Sequence, residues 1–220
     1  MQEGASQLEA CMILQGGMLA RPVYLTISSS NGTAQAPGDY NELIYHMTLS
    51  HSDGVRKCIN ITIIDDELVE DTEIFSLTLA SEDNAVSLIP DRLTVMILDN
   101  DKVTLTLQQT NYTVNESVGQ LELNVELKGT LERNITVSLE TTDGNASSRS
   151  GDYTAILETL TFSSGSESGS TVAFAVDIHD DQIVEGEESF SIQATSSDAA
   201  VVFEAEKETA YVSIEDDDCK

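Results

Sequence analysis

The 220-residue chain is predicted to be all-β, built as two antiparallel β-sandwiches in tandem, and three observations lead there. Apolar and polar residues alternate with a period of two through most of the sequence, the mark of strands with one buried and one wet face. Clusters of Gly, Ser, Asn and Asp interrupt these runs, as turns between antiparallel strands do. An acidic pattern is written twice. Asp65-Asp66-x-x-x-Glu70-x-x-Glu73 returns as Asp180-Asp181-x-x-x-Glu185-x-x-Glu188, and Gly38-Asp39-Tyr40 returns as Gly151-Asp152-Tyr153. Ile97-Leu98-Asp99-Asn100-Asp101 returns as Ile214-Glu215-Asp216-Asp217-Asp218. The length admits one large β-domain or two small ones. The repeat selects two, at 1–101 and 102–220, each near the usual domain size.

Taken in order, the first domain alternates at Leu8, Ala10, Met12 and Leu14, and again at Ile59, Ile61 and Ile63. Gly16 and Gly129 differ by 113, as do Asp39 and Asp152, so Glu3 is the counterpart of Glu116. That register leaves most of an opening strand missing from the first copy, and predicts a frayed Glu3. For the second domain the pattern places seven strands near 103–114, 119–127, 134–142, 154–162, 171–178, 188–195 and 207–215. Leu121, Leu123, Val125 and Leu127 alternate with Glu122, Asn124 and Glu126, and Val172, Phe174, Val176 and Ile178 with Ala173, Ala175 and Asp177. The chain has no Trp and no Cys pair spaced to bridge two sheets, which excludes an antibody-type domain.

Strand direction gathers the acids. Successive strands of an antiparallel sandwich run up and then down, so alternate turns share one end. Glu116, Asp152, Asp180, Asp181, Glu185, Glu188, Asp216, Asp217 and Asp218 all fall on turns of that end. Glu3, Asp39, Asp65, Asp66, Glu70, Glu73, Asp99 and Asp101 do the same in the first copy. Carboxylates this close raise one another's pKa, and Lys and Arg are almost absent from these turns. A hard cation is the remaining remedy. All-oxygen ligands in such number favour Ca²⁺, with enough for several ions, over Mg²⁺ or Mn²⁺. His46, His51, His179 and the three cysteines form no ligand cluster for a transition metal.

These residues resemble the Calx-beta family, whose marks are a Gly-Asp-Tyr before a strand, an Ile-x-Asp-Asp-x-x-x-Glu-x-x-Glu turn followed by Phe, and a closing Ile-x-Asp-x-Asp. Here they stand as Ile63 through Glu73 with Phe75, and as Ile178 through Glu188 with Phe190; Val114-Asn115-Glu116-Ser117-x-Gly119 fits as well. The resemblance implies two Ig-like sandwiches of about seven strands that bind several Ca²⁺ ions at their distal loops. Asn100 stands where Asp217 does, one carboxylate fewer in the first copy. Cys11 aligns with Asn124 and Cys58 with Ala173, outward positions on strands that neighbour each other in an Ig-like sheet. A surface disulfide and two free thiols are the alternatives, and Cys219 lies past the last motif.

Other classes fall away. A formal net charge of -29 with no basic cluster excludes nucleic acid as a partner. No apolar run of membrane-spanning length is present, and Met1 opens no signal peptide. No EF-hand loop and no Ser/His or Cys/His pairing recurs, so the chain is read as non-enzymatic. Two settings are known for the resembling family. One is extracellular arrays, as in the very large adhesion G-protein-coupled receptor and Fraser-complex matrix proteins. The other is the cytosolic Ca²⁺-sensing loop of sodium–calcium exchangers. Six of the ten Asn residues head N-x-Ser/Thr sequons (Asn31, Asn60, Asn111, Asn115, Asn134 and Asn145), which favours an extracellular or cell-surface segment of a longer, membrane-anchored chain. Its expected partners are neighbouring repeats of the same chain and other surface or matrix proteins, with bound Ca²⁺ stiffening the tandem.

Overall fold

A computed structural model describes residues 1–5, 7–16, 19–50, 56–84 and 86–218. His51 and Cys219 lie outside the described residues. Two compact units are present, one of Met1–Asp66 with Asp71–Asn100, the other of Asp101–Lys220 with Glu67–Glu70.

In the first unit β1 (Leu8–Ile13) pairs antiparallel with β4 (Arg56–Ile61). Facing them is a four-stranded sheet of β3 (Ile44–Leu49), β2 (Val23–Asn31), β6 (Glu73–Ser81) and β7 (Arg92–Ile97), in that order. Burial follows the predicted alternation, with Val23, Leu25 and Ile27 inward on β2 and Phe75 and Leu77 inward on β6. Cys11 sits opposite Cys58 in the β1–β4 ladder and the two form a disulfide, which decides between the alternatives that the sequence left. Glu3 is not frayed. Gln2 bridges Leu98 in parallel, Glu3 N donates to Leu98 O at 3.0 Å, and the Glu3 side chain is buried.

The second unit contains β5 (Leu68–Val69) and β8 (Val103–Leu107), then β9 (Asn111–Asn115), a 3₁₀ turn at Glu116–Val118, β10 (Gln120–Lys128) and β11 (Thr130–Leu131). It continues with β12 (Ile135–Asp143), β13 (Leu157–Phe162), β14 (Thr171–Asp177), β15 (Glu188–Thr195), β16 (Val201–Phe203) and β17 (Thr209–Glu215). One sheet runs β14-β10-β8-β16 and the other β13-β12-β15-β17-β9, while β5 pairs in parallel with β11. The predicted strand 103–114 is corrected here. It breaks at Gln108–Thr110 into β8 and β9, which lie in different sheets and pair in parallel with β16 and β17. A chain that leaves one sheet for the other covers both and shields edges that would otherwise recruit strands. Aliphatic residues from both sheets close one contiguous core, including Leu105, Leu123, Val137, Leu139 and Ile192.

Candidate metal centre

The Gly-Asp-Tyr motif is where alternation becomes chemistry. Tyr153 points inward and stacks on Phe190, the residue two beyond Glu188, with ring centroids 4.0 Å apart. Its phenol donates to Asp143; burial first, and that bond second, push the phenol pKa to about 12. Asp152, the residue before, is turned the other way. Its Oδ2 accepts from Ser147 N at 2.7 Å and Ser150 Oγ at 2.8 Å, and its carbonyl accepts from His179 N at 3.0 Å. The 178–179 segment that leads to Asp180 and Asp181 is thereby tied to the 152–153 segment, a link completed by the Tyr153–Ile178 bridge.

Four stretches of chain supply the acids. The 3₁₀ turn carries Glu116, the 152 turn Asp152, the 179–187 loop Asp180, Asp181 and Glu185, and the exit of β17 Asp216, Asp217 and Asp218; Glu188 opens β15. Carboxylate oxygens of Glu116, Asp216 and Asp218 lie within 4.8 Å of one another, as do those of Glu116, Asp180 and Asp217. Glu116, Asp152, Asp181, Glu185, Glu188 and Asp216 line a cavity of about 20 Å³, room for one water-sized sphere. All nine acids predicted for this copy therefore meet at one end of the unit. Loop bonds fix several of them. Glu185 N donates to Asp216 Oδ2 at 2.7 Å, Asp218 N to Asp216 Oδ1 at 2.9 Å, and Ser117 Oγ to Asp217 Oδ2 at 2.5 Å.

The electrostatics are those of crowded acids with too few counter-charges. Glu116 is only 5% exposed, and its Oε1, like Asp218 Oδ2, has no hydrogen-bond partner. Burial raises the Glu116 carboxyl above its ordinary value, and Asp216 and Asp218 raise it further. Burial also leads the upward shifts of Asp218, Glu185 and Glu188; neighbouring aspartates add to the first two, and a hydrogen bond with Asp152 to the third. None of the described ion pairs involves any of these nine acids. A buried carboxylate without a counter-charge is costly. The donor set of oxygens alone suits Ca²⁺.

The first copy assembles in the same way. Tyr40 stacks on Phe75 at 3.9 Å and its hydroxyl donates to Asn31 Oδ1, the counterpart of Asp143. Glu3 and Asp99 have carboxylate oxygens within 4.8 Å, as do Asp39 and Glu73. Asp65 accepts from Asn100 Nδ2 at 3.3 Å, so the amide that replaces a carboxylate is itself part of the cluster. Asp66 lies beside Asp65, half-buried. Glu70 and Asp101 belong to the second unit, where the Glu70 carbonyl accepts from Arg133 Nε at 2.9 Å. Sequence reasoning did not single out the Tyr–Phe stacks or the Asp143 acceptor, and it named Asn145 only as a sequon, whereas Asn145 Oδ1 accepts from Ser189 N and so tethers the neighbouring turn to β15. The recurrence of Tyr and Phe at matched places in both copies was the available signal.

The model of the Calx-beta domain matches this sequence twice, at residues 1–101 and 99–218. Sodium/calcium exchanger 1 of Canis lupus familiaris is 29% identical over 170 residues, covering 69% of this chain and 17% of the exchanger, and that of Rattus norvegicus is 28% identical over the same span. The chain thus spans about a sixth of the length of the relatives it matches. Among solved structures, the apo-form Calx CBD1 domain is 28% identical with a TM-score of 0.48, covering 54% of this chain and 100% of that one. The CBD12 pair of CALX1.2 is 21% identical with a TM-score of 0.43, covering 97% and 94%. The chain belongs to the Calx-beta domain family, as two tandem copies.

Proposed function

We propose that this chain is a Ca²⁺-binding module whose second repeat holds several ions at the Glu116–Asp218 end. The buried, unpartnered Glu116 Oε1 among Asp216 and Asp218 carries that reading. Glu116, Asp152, Asp180, Asp181, Glu185, Glu188, Asp216, Asp217 and Asp218 supply the oxygens. Glu3, Asp39, Asp65, Asp66, Glu73 and Asp99 form the first repeat's set, poorer by the carboxylate that Asn100 replaces. The role is binding rather than catalysis. Calcium replaces mutual repulsion with shared ligation, stiffens the loops and, through them, the tandem.

The setting we favour is an extracellular or cell-surface array, where the module contributes to structure or adhesion beside neighbouring repeats. Two observations support it. All six sequon asparagines are exposed, and Cys11 and Cys58 are disulfide-bonded, as suits an oxidising compartment. A second reading, a cytosolic Ca²⁺-sensing pair of an exchanger-like transporter, is favoured by the relatives, which are sodium/calcium exchangers.

Thermal unfolding in EDTA and in millimolar Ca²⁺, with Mg²⁺ as control, tests the binding. At a hundredfold excess over Kd a ligand adds about 2.7 kcal/mol. A Ca²⁺-specific rise that vanishes in Asp180→Ala with Asp181→Ala is expected; an unchanged midpoint would overturn the assignment. Glycan mass on the secreted chain separates the two settings, and scattering with and without Ca²⁺ tests the stiffening.

A further inference from the structure

One contact is made once in this chain, although the sequence carries both of its halves twice. The second unit includes Glu67–Glu70, residues that the sequence places in the acidic loop of the first copy. There β5 runs parallel to β11, with Leu68 opposite Thr130 and Val69 opposite Leu131. Glu132 N donates to Val69 O at 2.9 Å, and Arg133 Nε to Glu70 O at 2.9 Å. Val69 is fully buried in that unit's core. The contact thus consists of a plug, Leu68-Val69-Glu70, and a seat, Leu131-Glu132-Arg133.

Each half recurs with nothing against it. The repeated acidic motif equates the plug with Ile183-Val184-Glu185. Ile183 is 61% exposed and Val184 46%, against 0% for Val69. The tip is fixed on both flanks: Ile183 N donates to Asp181 Oδ1 at 2.6 Å, and Glu185 N to Asp216 Oδ2 at 2.7 Å. Between them, Val184 makes no hydrogen bond through its own N–H or C=O among the described residues. The counterpart of the seat is Leu19-Ala20-Arg21, because Arg21 grips Asp83 with both terminal nitrogens as Arg133 grips Asp198. Leu19 is partly buried where Leu131 is fully so, and Arg21 is mostly exposed where Arg133 is mostly buried. Ala20 N and Arg21 Nε, the equivalents of the two donors in the filled seat, have no acceptor among the described residues. Charge points the same way. Arg21 is one of ten Lys and Arg in a chain with 39 acids, and the tip lies in the loop of Asp180, Asp181 and Glu185.

We propose that the 183–185 tip docks on Leu19–Arg21 of a second copy of this chain. Val184 lies beside Leu19, Ala20 N donates to the Val184 carbonyl, and Arg21 Nε donates to the Glu185 carbonyl. Main-chain bonds supply the affinity and the aliphatic pair the specificity, as in strand addition generally. The two faces lie on different repeats, so the contact is heterologous and adds copies head to tail instead of closing a two-fold dimer. Neither face uses a carboxylate oxygen, so the docking is independent of what the acids bind. A three-residue tip buries little surface, which places the association at the weak end of protein contacts.

The test is sedimentation of the 220-residue chain, carrying Cys219→Ser so that no thiol joins copies. Salt of about 0.15 M screens the mutual repulsion of the chains beyond about 8 Å. From about 10 µM to about 1 mM protein the weight-average mass is expected to climb at least ~1.5-fold, in EDTA and in Ca²⁺ alike, as a Kd near 1 mM requires. Hydrogen exchange at Ala20 should slow at least ~2-fold over the same range. Ile183→Asp with Val184→Asp removes the tip at two exposed side chains, and Arg21→Glu sets a carboxylate against the acidic loop. Each of these chains alone is expected to stay monomeric with an unchanged fold, and their equal mixture to form one-to-one pairs. Four results would overturn the proposal: a mass that stays at one copy in both media, a rise that persists without Ile183 and Val184, Ala20 protection that ignores concentration, or a mixture of the two variants that does not pair.

Discussion

Glu116 concentrates the energetic conflict of the second repeat. Its carboxylate is buried, shifted upward by that burial and by Asp216 and Asp218, and partnerless at Oε1. Glu116→Gln removes the charge while keeping the shape. Without metal this variant is expected to be more stable than the parent, because a buried uncompensated charge is gone. Calorimetric titration should show Ca²⁺ affinity down at least ~10-fold, equivalent to about 1.4 kcal/mol. A Glu116→Gln chain that melts lower in EDTA and binds Ca²⁺ unchanged would contradict both halves. Gly144 is a separate case, governed by space. A Cβ there would stand 2.2 Å from Ser189 O, and Gly32 meets Ile74 O at 2.3 Å in the first copy. Gly144→Ala should therefore cost about 1–3 kcal/mol through forced backbone shifts. Gly186, beside the same site but with open space around it, should tolerate Ala within about 0.5 kcal/mol. Urea denaturation of both variants checks the contrast.

Two devices recur in both copies and hold the elements in place. The first is the aromatic stack that anchors each Gly-Asp-Tyr turn to the strand after the acidic loop. Phe190→Ala removes that anchor from a closed core, and is expected to cost about 3–5 kcal/mol and to weaken Ca²⁺ binding, since Asp152 loses its fixed place. The second is an Arg–Asp clamp in which Arg133 grips Asp198 with both terminal nitrogens and Arg21 grips Asp83 likewise. The clamps differ in setting. Arg133 and Asp198 are about 20% exposed, and Asp198 also accepts from Ala200 N at 3.0 Å, whereas Arg21 is 68% exposed. Asp198→Ala should cost about 3 kcal/mol, because it strands a mostly buried guanidinium, against about 0–1 kcal/mol for Asp83→Ala, which leaves Arg21 in solvent although Asp83 itself is only 10% exposed. Equal losses from the two variants in denaturant titration would refute this ranking. The Arg133 hydrogen bond holds the Asp198 carboxyl below its ordinary 3.8. The stability it contributes is present above pH 3.8 and is lost as pH falls through the lower native value.

For the molecule as a whole, charge sets the response to solution conditions. At -29 the metal-free chain resists its own compaction. Glu116, Glu185, Glu188 and Asp218 have native pKa values above their ordinary 4.5 or 3.8. Across the window from those ordinary values up to the raised ones the native state binds more protons than the unfolded chain, so stability falls as pH rises. In EDTA the melting midpoint is therefore expected to climb as pH drops through those raised values, and to fall once the Asp198 window is entered. With saturating Ca²⁺ the first trend should reverse, because protons and metal compete for the same oxygens. Differential scanning calorimetry over that range, in EDTA and in Ca²⁺, distinguishes a metal site from a solvated acidic patch, for which the two curves would coincide.

Much of this was present in the sequence. The alternation of Leu121 through Leu127 fixed strand faces, because a period of two leaves no freedom once one side is buried. The duplicated acids identified the end of each sandwich where they meet, because turns follow strand direction. The recurrence of Gly-Asp-Tyr established the register that equates Glu3 with Glu116. Other features depended on partners distant in sequence, which no local pattern encodes. The split of residues 103–114 between two sheets arises because β8 and β9 find β16 and β17, strands about a hundred residues away. Glu3 is held rather than frayed because Gln2 finds Leu98. The Cys11–Cys58 bond needs the β1–β4 register, and the depth to which Glu116 is buried needs the whole set of loops closed over it. Sequence determined which residues face in and which acids gather. The tertiary structure alone decided which of those acids lost its water while one carboxylate oxygen stayed without a partner, and that imbalance is what a bound cation would relieve.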